Sequence, residues 1–113
     1  MVKSSSYIPE RGDMVWLDFN PQLGHEQKGR RPALVISYKS YNEKVGLALF
    51  CPITSKIKGY PFEVKVEGKK IHGSVLSDQV KSLDWKLRNV EFIEEIAKGL
   101  LLEVIARVKT LME

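Results

Sequence analysis

The chain has 113 residues and a mass of 12.9 kDa, which predicts one domain over residues 1–113 and excludes a second. With 43% hydrophobic and 28% charged residues, the composition is typical of a globular protein with a filled core and excludes disorder as the main state. The 18 Lys and Arg residues against 14 Asp and Glu give a net charge of +4, which suits a polyanionic partner and equally a solubilising surface.

The cysteine and histidine content restricts the chemistry and the compartment. One cysteine excludes an internal disulfide framework, and together with two histidines it cannot supply a four-ligand zinc site from one chain. The apolar runs are shorter than the roughly 20 residues that cross a bilayer, and residues 1–9 lack the apolar stretch of a signal peptide. We therefore predict a cytoplasmic protein with no membrane segment, in which Cys51 is a buried core residue and not a nucleophile.

The first half of the chain predicts three strands and a long polar loop. Residues 13–19 are apolar, aromatic and β-branched, and Pro21 ends this first strand. Residues 21–31 follow neither the strand nor the helix period, and a loop of this length in a small domain is more often functional than connecting. Residues 32–38 and 45–53 are almost continuously apolar, as in central strands covered on both faces, with a short turn at 41–43 between them.

The second half predicts further strands and a final helix. A polar loop occupies residues 54–61, and the alternating residues 62–67 form a half-exposed strand that ends in a turn at 68–70. Residues 73–80 and 89–96 are also strand candidates. From Leu101 onward, apolar residues recur at helical spacing, while Gly99 leaves the start of the helix open. This order predicts a mainly β fold, a small barrel or strongly coiled sheet, with a C-terminal amphipathic α-helix packed on it.

Polar clusters interrupt the apolar strands where each meets a loop. They comprise residues 25–31, Thr54 with Ser55, and residues 77–79. If the strands are neighbours, the clusters converge at one rim and place a guanidinium, a carboxylate, an amide and hydroxyls in one groove. In the alternative interpretation, Asp78 and Gln79 satisfy backbone groups of a loop, and Arg31 forms a structural ion pair with Glu26.

Several motifs in order resemble those of the MazF/PemK toxin family. They lie at residues 12–16, 26–35, 52–55, 59–64 and 78–82, so that the resemblance covers residues 7–88, and residues 89–113 match only in general pattern. The resemblance implies an SH3-like barrel of the CcdB/PemK type. It also implies a sequence-specific endoribonuclease that cuts single-stranded RNA as a homodimer, without metal or other cofactor, and that a cognate MazE-like antitoxin inhibits.

The resemblance carries catalytic roles onto Arg31, Thr54 and Glu26. It implies that the 2′-hydroxyl of the RNA attacks the adjacent phosphorus and leaves a 2′,3′-cyclic phosphate and a 5′-hydroxyl. Because the pKa of arginine lies above about 12, Arg31 suits charge stabilisation and proton donation better than proton acceptance. Thr54 would donate a hydrogen bond to a phosphoryl oxygen, and Glu26 would position the RNA or assist the base.

Residues beside these three are candidates for RNA binding. His25 is also a candidate general base, although a loop or base-stacking role fits it better, and His72 is interpreted as turn surface. Lysine side chains can contact phosphates, and aromatic rings can stack on bases. Among the aromatic residues, Trp16 and Phe19 suit the core or a dimer interface better, so Tyr60 and Trp85 remain as candidates for stacking. The RNA-binding candidates are His25, Gln27, Lys28, Ser55, Lys56, Lys58, Ser77, Asp78, Gln79 and Lys81.

Two other classes of function remain open. One is a non-catalytic CcdB-like toxin that binds DNA gyrase. The set of glutamate, arginine and threonine argues against this class, because binding to gyrase does not need these three residues. The other is a basic barrel that binds nucleic acid without cutting it, for which charge and aromatic residues suffice.

Overall fold

A computed structural model describes residues 7–19 and 29–113. Within these ranges the helices and strands are β1 (Asp13–Asp18), β2 (Arg30–Val35), α1 (Lys39–Val45), β3 (Leu47–Thr54), β4 (Glu63–Glu67), β5 (His72–Leu76), β6 (Lys81–Asp84), β7 (Glu91–Glu95) and α2 (Lys98–Thr110). The strands form an antiparallel sheet in the order β4-β5-β3-β2-β1-β7, and β6 also pairs with β3. Neither of these helices is long and apolar enough to cross a membrane.

The curled sheet is covered on both faces, because consecutive residues of its central strands are apolar. Met14, Leu34 and Cys51 point to the face against which α2 packs, where Val104 is fully buried. The neighbouring residues in the strands point the other way, into a second cluster of Val15, Leu17, Ala33, Val35, Ala48, Phe50 and Trp85. The predicted mainly β fold with a C-terminal helix is thus confirmed.

The helix α2 begins three residues before the apolar repeat that predicts it. Gly99 lies in its first turn, beside Lys98, and therefore belongs to the helix and not to the preceding loop. The residues Leu100, Leu101, Ile105 and Val108 pack against the core around Val104. The predicted amphipathic helix is confirmed, and its open boundary is now fixed at Lys98.

Three sequence-based predictions about local structure need correction. The predicted turn at 41–43 is the middle of α1, which ends at Gly46 with a φ of 82°. The strand predicted over 73–80 ends at Leu76, and the unpredicted strand β6 follows after a turn. Arg30 and Arg31 open β2 and do not belong to the loop. In each case pairing or burial against distant residues overrides the local pattern.

The helix α1 is anchored by a fully buried amide, which its polar sequence conceals. The Asn42 side chain donates to the carbonyls of Pro9 (2.8 Å) and Ser37 (3.1 Å) and accepts from the Ser37 hydroxyl (2.6 Å). Its backbone carbonyl accepts from the indole N–H of Trp85 at 3.0 Å. One residue therefore joins α1 to the N-terminal segment and to the second core cluster.

We expect Asn42→Ala to lower the free energy of unfolding by about 2–4 kcal/mol, because it strands several buried hydrogen-bonding groups and leaves a small cavity. Urea denaturation followed by tryptophan fluorescence measures the change. Lys44→Ala, on the exposed side of the same helix, is the control and should change stability by less than about 0.5 kcal/mol. Equal, small effects of both substitutions would contradict an anchoring role for Asn42.

Candidate functional site

Arg31 and Thr54 lie at the same end of two neighbouring strands. The β2–β3 register ends with Ala33 opposite Pro52, and Arg31 and Thr54 each lie two residues beyond that last pair. Directly opposed residues of an antiparallel pair project from the same face of a sheet. Arg31 is exposed and Thr54 is half-buried. By strand alternation Arg31 shares a face with Ala33 and Thr54 shares one with Phe50, and both of those residues belong to the second core cluster.

Lys81 and Phe19 reach the same end of the same face. Lys81 pairs with Phe50 across the other edge of β3, and its ammonium nitrogen lies 5.8 Å from the centroid of the Phe19 ring. Phe19 follows β1 and packs against the second core cluster. Residues from four separate stretches of the chain therefore surround one open end of the sheet, which now holds two cationic groups and one hydroxyl.

The turn at residues 77–80 is a bulge in the partner of β3. Thr54 pairs with Ser74, and Phe50 pairs with Lys81. These two pairs are four residues apart along β3 but seven residues apart along the partner chain, so three extra residues loop out. Bulges are over-represented beside active sites, where they redirect side chains. In this bulge Asp78 and Gln79 are exposed, in the stretch of chain between the partners of Thr54 and Phe50.

Ser77 has the opposite placement from its neighbours in the bulge. Its side chain is fully buried, and its hydroxyl has no hydrogen-bond partner within residues 7–19 and 29–113. Its backbone N–H donates to the carbonyl of Phe62 at 3.0 Å. In this conformation Ser77 joins the bulge to the chain before β4 and does not offer a hydroxyl to a ligand on the surface.

The Thr54 hydroxyl is oriented by its own loop. Its Oγ1 accepts a hydrogen bond of 3.1 Å from the backbone N–H of Lys56, which leaves the hydroxyl proton available to a ligand. Across the sheet, a Cβ built on Gly73 would lie 2.4 Å from the carbonyl oxygen of Thr54. Only glycine at this position lets β5 approach the end of β3 so closely. The exposed Ser55, Lys56 and Lys58 follow directly.

The loop at residues 55–62 is held by contacts at both of its ends. The Glu63 carboxylate accepts from the backbone N–H groups of Lys58 (3.0 Å) and Gly59 (2.8 Å). The Tyr60 hydroxyl donates to Asp78 at 2.7 Å, which raises the pKa of Tyr60 to about 12. From α2, Nε of Arg107 donates to the carbonyl of Pro61 at 2.9 Å. The loop is thereby tied to the bulge and to the helix.

Aromatic residues divide between this site and the core. Trp85 is 4% exposed and donates to Asn42, so the prediction that it offers a stacking face is wrong. Trp16 is 36% exposed but pairs with Pro32 on the face opposite Arg31. Tyr60 and the half-buried Phe19 therefore remain the aromatic residues at this end of the described sheet, and His72 is exposed on β5.

Four predicted site residues, His25, Glu26, Gln27 and Lys28, lie outside the described residues. Within the described ranges, no three His, Cys, Asp or Glu side chains come together as a cation site. Cys51 is fully buried, as predicted, and burial together with the Asp78 carboxylate raises the pKa of its thiol to about 12. The thiol therefore stays protonated and unreactive in the folded protein near neutral pH.

Sequence reasoning missed Arg30, which lies beside Arg31 but points to the other face. Its guanidinium binds Asp18 (2.8 Å), Glu91 (3.0 Å) and the carbonyl of Asn89 (2.9 Å). The Asn89 amide also donates to Asp18 at 2.8 Å, and these hydrogen bonds lower the pKa of the Asp18 carboxyl. The sequence did contain a signal for this difference. Two consecutive arginines at the start of a strand must point to opposite faces, because successive side chains alternate along a strand.

This fold agrees with the comparisons with known proteins. Residues 10–112 match the family model described as PemK-like, MazF-like toxin of type II toxin-antitoxin system, and the chain belongs to that family. It is 50% identical over 84 residues to the endoribonuclease toxin MazF of Escherichia coli K12, which covers 74% of this chain and 76% of that one. It is 36% identical over 119 residues, all of both chains, to the endoribonuclease toxin ChpB of the same strain.

Solved structures give the same result. The crystal structure of MazF from Deinococcus radiodurans is similar with a TM-score of 0.85 and 47% identity, covering 95% of this chain and 98% of that one. The structure titled MazE-MazF from the same organism is similar with a TM-score of 0.84 and 42% identity, covering 95% and 97%. The likeness thus extends through the C-terminal helix, which the sequence motifs did not cover.

We expect the Cys51 thiol of the folded protein to resist a thiol-specific chromogenic reagent at mildly alkaline pH, because the reactive thiolate is suppressed and access is blocked. Absorbance of the released chromophore measures the reaction, and the single cysteine makes the signal unambiguous. The unfolded chain in concentrated guanidinium chloride is the control and should react at once. Labelling of the folded protein at the rate of a free thiol would contradict the burial.

Proposed function

We propose that this protein is a sequence-specific, metal-independent endoribonuclease that cuts single-stranded RNA. The observation that carries the proposal is that Arg31 and Thr54 each lie two residues beyond the last β2–β3 pair, at the end of the sheet that Lys81 also borders. The relatives named above as endoribonuclease toxins support the same reaction class. A gyrase-binding toxin would not need this pair, and a simple RNA-binding barrel would need charge alone.

The chemistry follows from the groups in the pair. Attack of the 2′-hydroxyl on the adjacent phosphorus forms a phosphorane with an additional negative charge, and departure of the 5′-oxygen leaves a 2′,3′-cyclic phosphate and a 5′-hydroxyl. A planar guanidinium at Arg31 binds two phosphoryl oxygens at once and stabilises that charge, and it can also donate a proton to the leaving oxygen. The Thr54 hydroxyl donates to a phosphoryl oxygen. Glu26 would position the RNA or assist the base that takes the 2′ proton.

The RNA would follow the positive groups around this end of the sheet. Lys56, Lys58 and Lys81 are exposed on the two sides of Thr54 and suit contacts to the phosphates. Phe19 offers part of one ring face, and the exposed Asp78 and Gln79 offer an acceptor and an amide to base edges. Ser55 and the loop residues His25, Gln27 and Lys28 complete the proposed RNA-binding set.

We also propose two protein partners, a second copy of the chain and a MazE-like antitoxin, for a toxin that acts in the cytoplasm. Similar solved structures include complexes titled MazE-MazF. Leu102 on α2 (63% exposed) and Met112 just after its end (76% exposed) leave apolar surface that a homodimer would bury. An acidic antitoxin segment would complement the lysines around Thr54.

The test of this function is incubation of end-labelled single-stranded RNA with the purified protein in excess EDTA. The proposal predicts discrete fragments with cyclic phosphate and 5′-hydroxyl ends, which a 5′-kinase can label without prior phosphatase treatment. Sequencing these 5′ ends from a long mixed RNA gives the recognised sequence. Binding without cutting would contradict the proposal and favour the non-catalytic barrel, and cutting that EDTA abolishes would contradict metal independence.

We expect Arg31→Ala to lower the single-turnover cleavage rate by at least about 10²-fold, because it removes a preorganised donor to the phosphorane. Thr54→Val, which keeps the branched shape and deletes the hydroxyl, should also lower the rate with little change in thermal stability. His25→Ala is the comparison and should cost much less. If His25→Ala abolished cleavage while the other two variants kept near-normal rates, a histidine-based mechanism would replace this one.

We expect a cognate antitoxin peptide and an uncleavable 2′-deoxy RNA analogue to compete, because both would use Lys56, Lys58 and Arg31. Fluorescence anisotropy of the labelled analogue with increasing peptide measures the competition. The affinity of each ligand should fall as the salt concentration rises. Simultaneous binding of both without mutual loss of affinity would show that they occupy different surfaces.

A further inference from the structure

The two arginines that open β2 have opposite surroundings. Arg31 is exposed, whereas the side chain of Arg30 is 20% exposed and its guanidinium is engaged by three acceptors. Those acceptors come from β1 (Asp18), from the turn before β7 (Asn89) and from β7 itself (Glu91). Arg30 therefore links the start of β2 to two other segments on the face that does not carry Thr54.

The start of β2 has little backbone hydrogen bonding to its neighbour β3. Pro32 has no backbone N–H to donate, and neither has Pro52 across the sheet. The pairing of β2 with β3 ends at Ala33 and Pro52, so Arg31 is paired in register only with Leu17 of β1. A strand end with a ladder on one side depends more strongly on side-chain contacts to hold its register.

The turn before β7 completes this support. Asn89 has a φ of 53°, the one positive φ of a residue other than glycine in the described chain, and its amide donates to Asp18 at 2.8 Å. Nη1 of Arg88 donates to the carbonyls of Phe19 (2.8 Å) and Asp18 (3.2 Å). The N–H of Phe19 in turn donates to the carbonyl of Gly29 at 2.9 Å.

A slip of β2 by one residue would put Arg30 in the place of Arg31. Because side chains alternate along a strand, the same slip would turn Arg31 to the face that does not carry Thr54. The side chain that replaces Arg31 is again an arginine, so the local sequence alone discriminates poorly between the two registers. The partners of Arg30 discriminate, because the slip would bring Gly29 opposite Asp18 and remove the guanidinium from Asp18 and Glu91.

We infer that Arg30 is a positioning residue for RNA cleavage: its contacts with Asp18, Glu91 and the Asn89 carbonyl fix the strand register that presents Arg31 beside Thr54. The inference rests on the proposed nuclease function. It assigns to Arg30 no contact with RNA, because its donors already face three acceptors on the opposite side of the sheet. A displacement of a catalytic group by about 1 Å can cost up to about 10²-fold in rate, so loss of these contacts should be visible in kinetics.

The first experiment compares Arg30→Met, Arg30→Lys and the charge-matched control Lys44→Met in single-turnover cleavage of RNA. Lys44 is exposed on α1, which precedes β3 at the end of that strand away from Thr54. Arg30→Met should lower the maximal rate by about 10-fold or more with the half-saturating concentration changed by less than about threefold. Arg30→Lys should recover part of the rate. Lys44→Met should keep it.

The second experiment repeats Arg30→Met in an Arg31→Ala background. If Arg30 acts through Arg31, its loss should reduce the residual rate by less than about twofold, a non-additivity that a general loss of folding would not produce. An equal loss in both backgrounds would overturn the positioning role while leaving the nuclease function intact. Absence of cleavage by the unmodified protein would instead overturn the nuclease function itself.

The third experiment uses Glu91→Gln, which removes the charge of one partner of Arg30 while both arginines are kept. Positioning predicts a maximal rate lowered about twofold, because one exposed ion pair is lost, and unchanged affinity for an uncleavable RNA analogue. If Arg30 instead bound RNA phosphates, removal of a competing carboxylate would strengthen RNA binding and its salt dependence. Tighter binding of the analogue by Glu91→Gln would therefore overturn the inference. This isosteric variant keeps the test decisive even if Arg30→Met folds poorly.

Discussion

The pairing of β2 with β3 is the contact on which the rest of the structure depends. It places the two most apolar stretches of the chain side by side, and their alternate residues supply both core clusters. Burial of apolar area on the two faces stabilises the sheet by roughly 25 cal/mol for each square ångström removed from water. Arg31 and Thr54 each lie two residues beyond the last pair of this register, at the same end of the two strands. The stability of the core and the position of the candidate site therefore depend on one alignment.

Proline and glycine shape the open end of this pair. Pro32 and Pro52 both lack the N–H that would extend the ladder, so the strands remain neighbours without being fully hydrogen-bonded beside the candidate site. On the other edge of β3, Gly73 permits a close approach of β5 to Thr54. Backbone chemistry thus leaves the two site residues accessible while it keeps their strands in place.

Positive charge is divided between structural and exposed groups. Arg30 and Arg88 are engaged by acceptors around Asp18, and Arg107 holds the loop after β3 through the carbonyl of Pro61. Arg31 and Lys81 remain at the surface. Because the net charge is only +4, its magnitude says little about RNA binding. Because the other cations are paired, the exposed ones produce a positive electrostatic field at one end of the sheet, where a polyanion would bind.

The sequence by itself determined the class of fold, because strand alternation and the helical repeat from Leu101 are local patterns that burial enforces. It also determined the burial of Cys51, which lies in an apolar run, and the ordered motifs that mark the family. The tertiary structure alone decided which side chains meet. Asn42 is a buried anchor because α1 packs against distant carbonyls, Ser77 turns inward at a bulge, and Arg30 and Arg31 take opposite faces through strand register. Such facts depend on pairing between residues far apart in the chain, which no local period encodes.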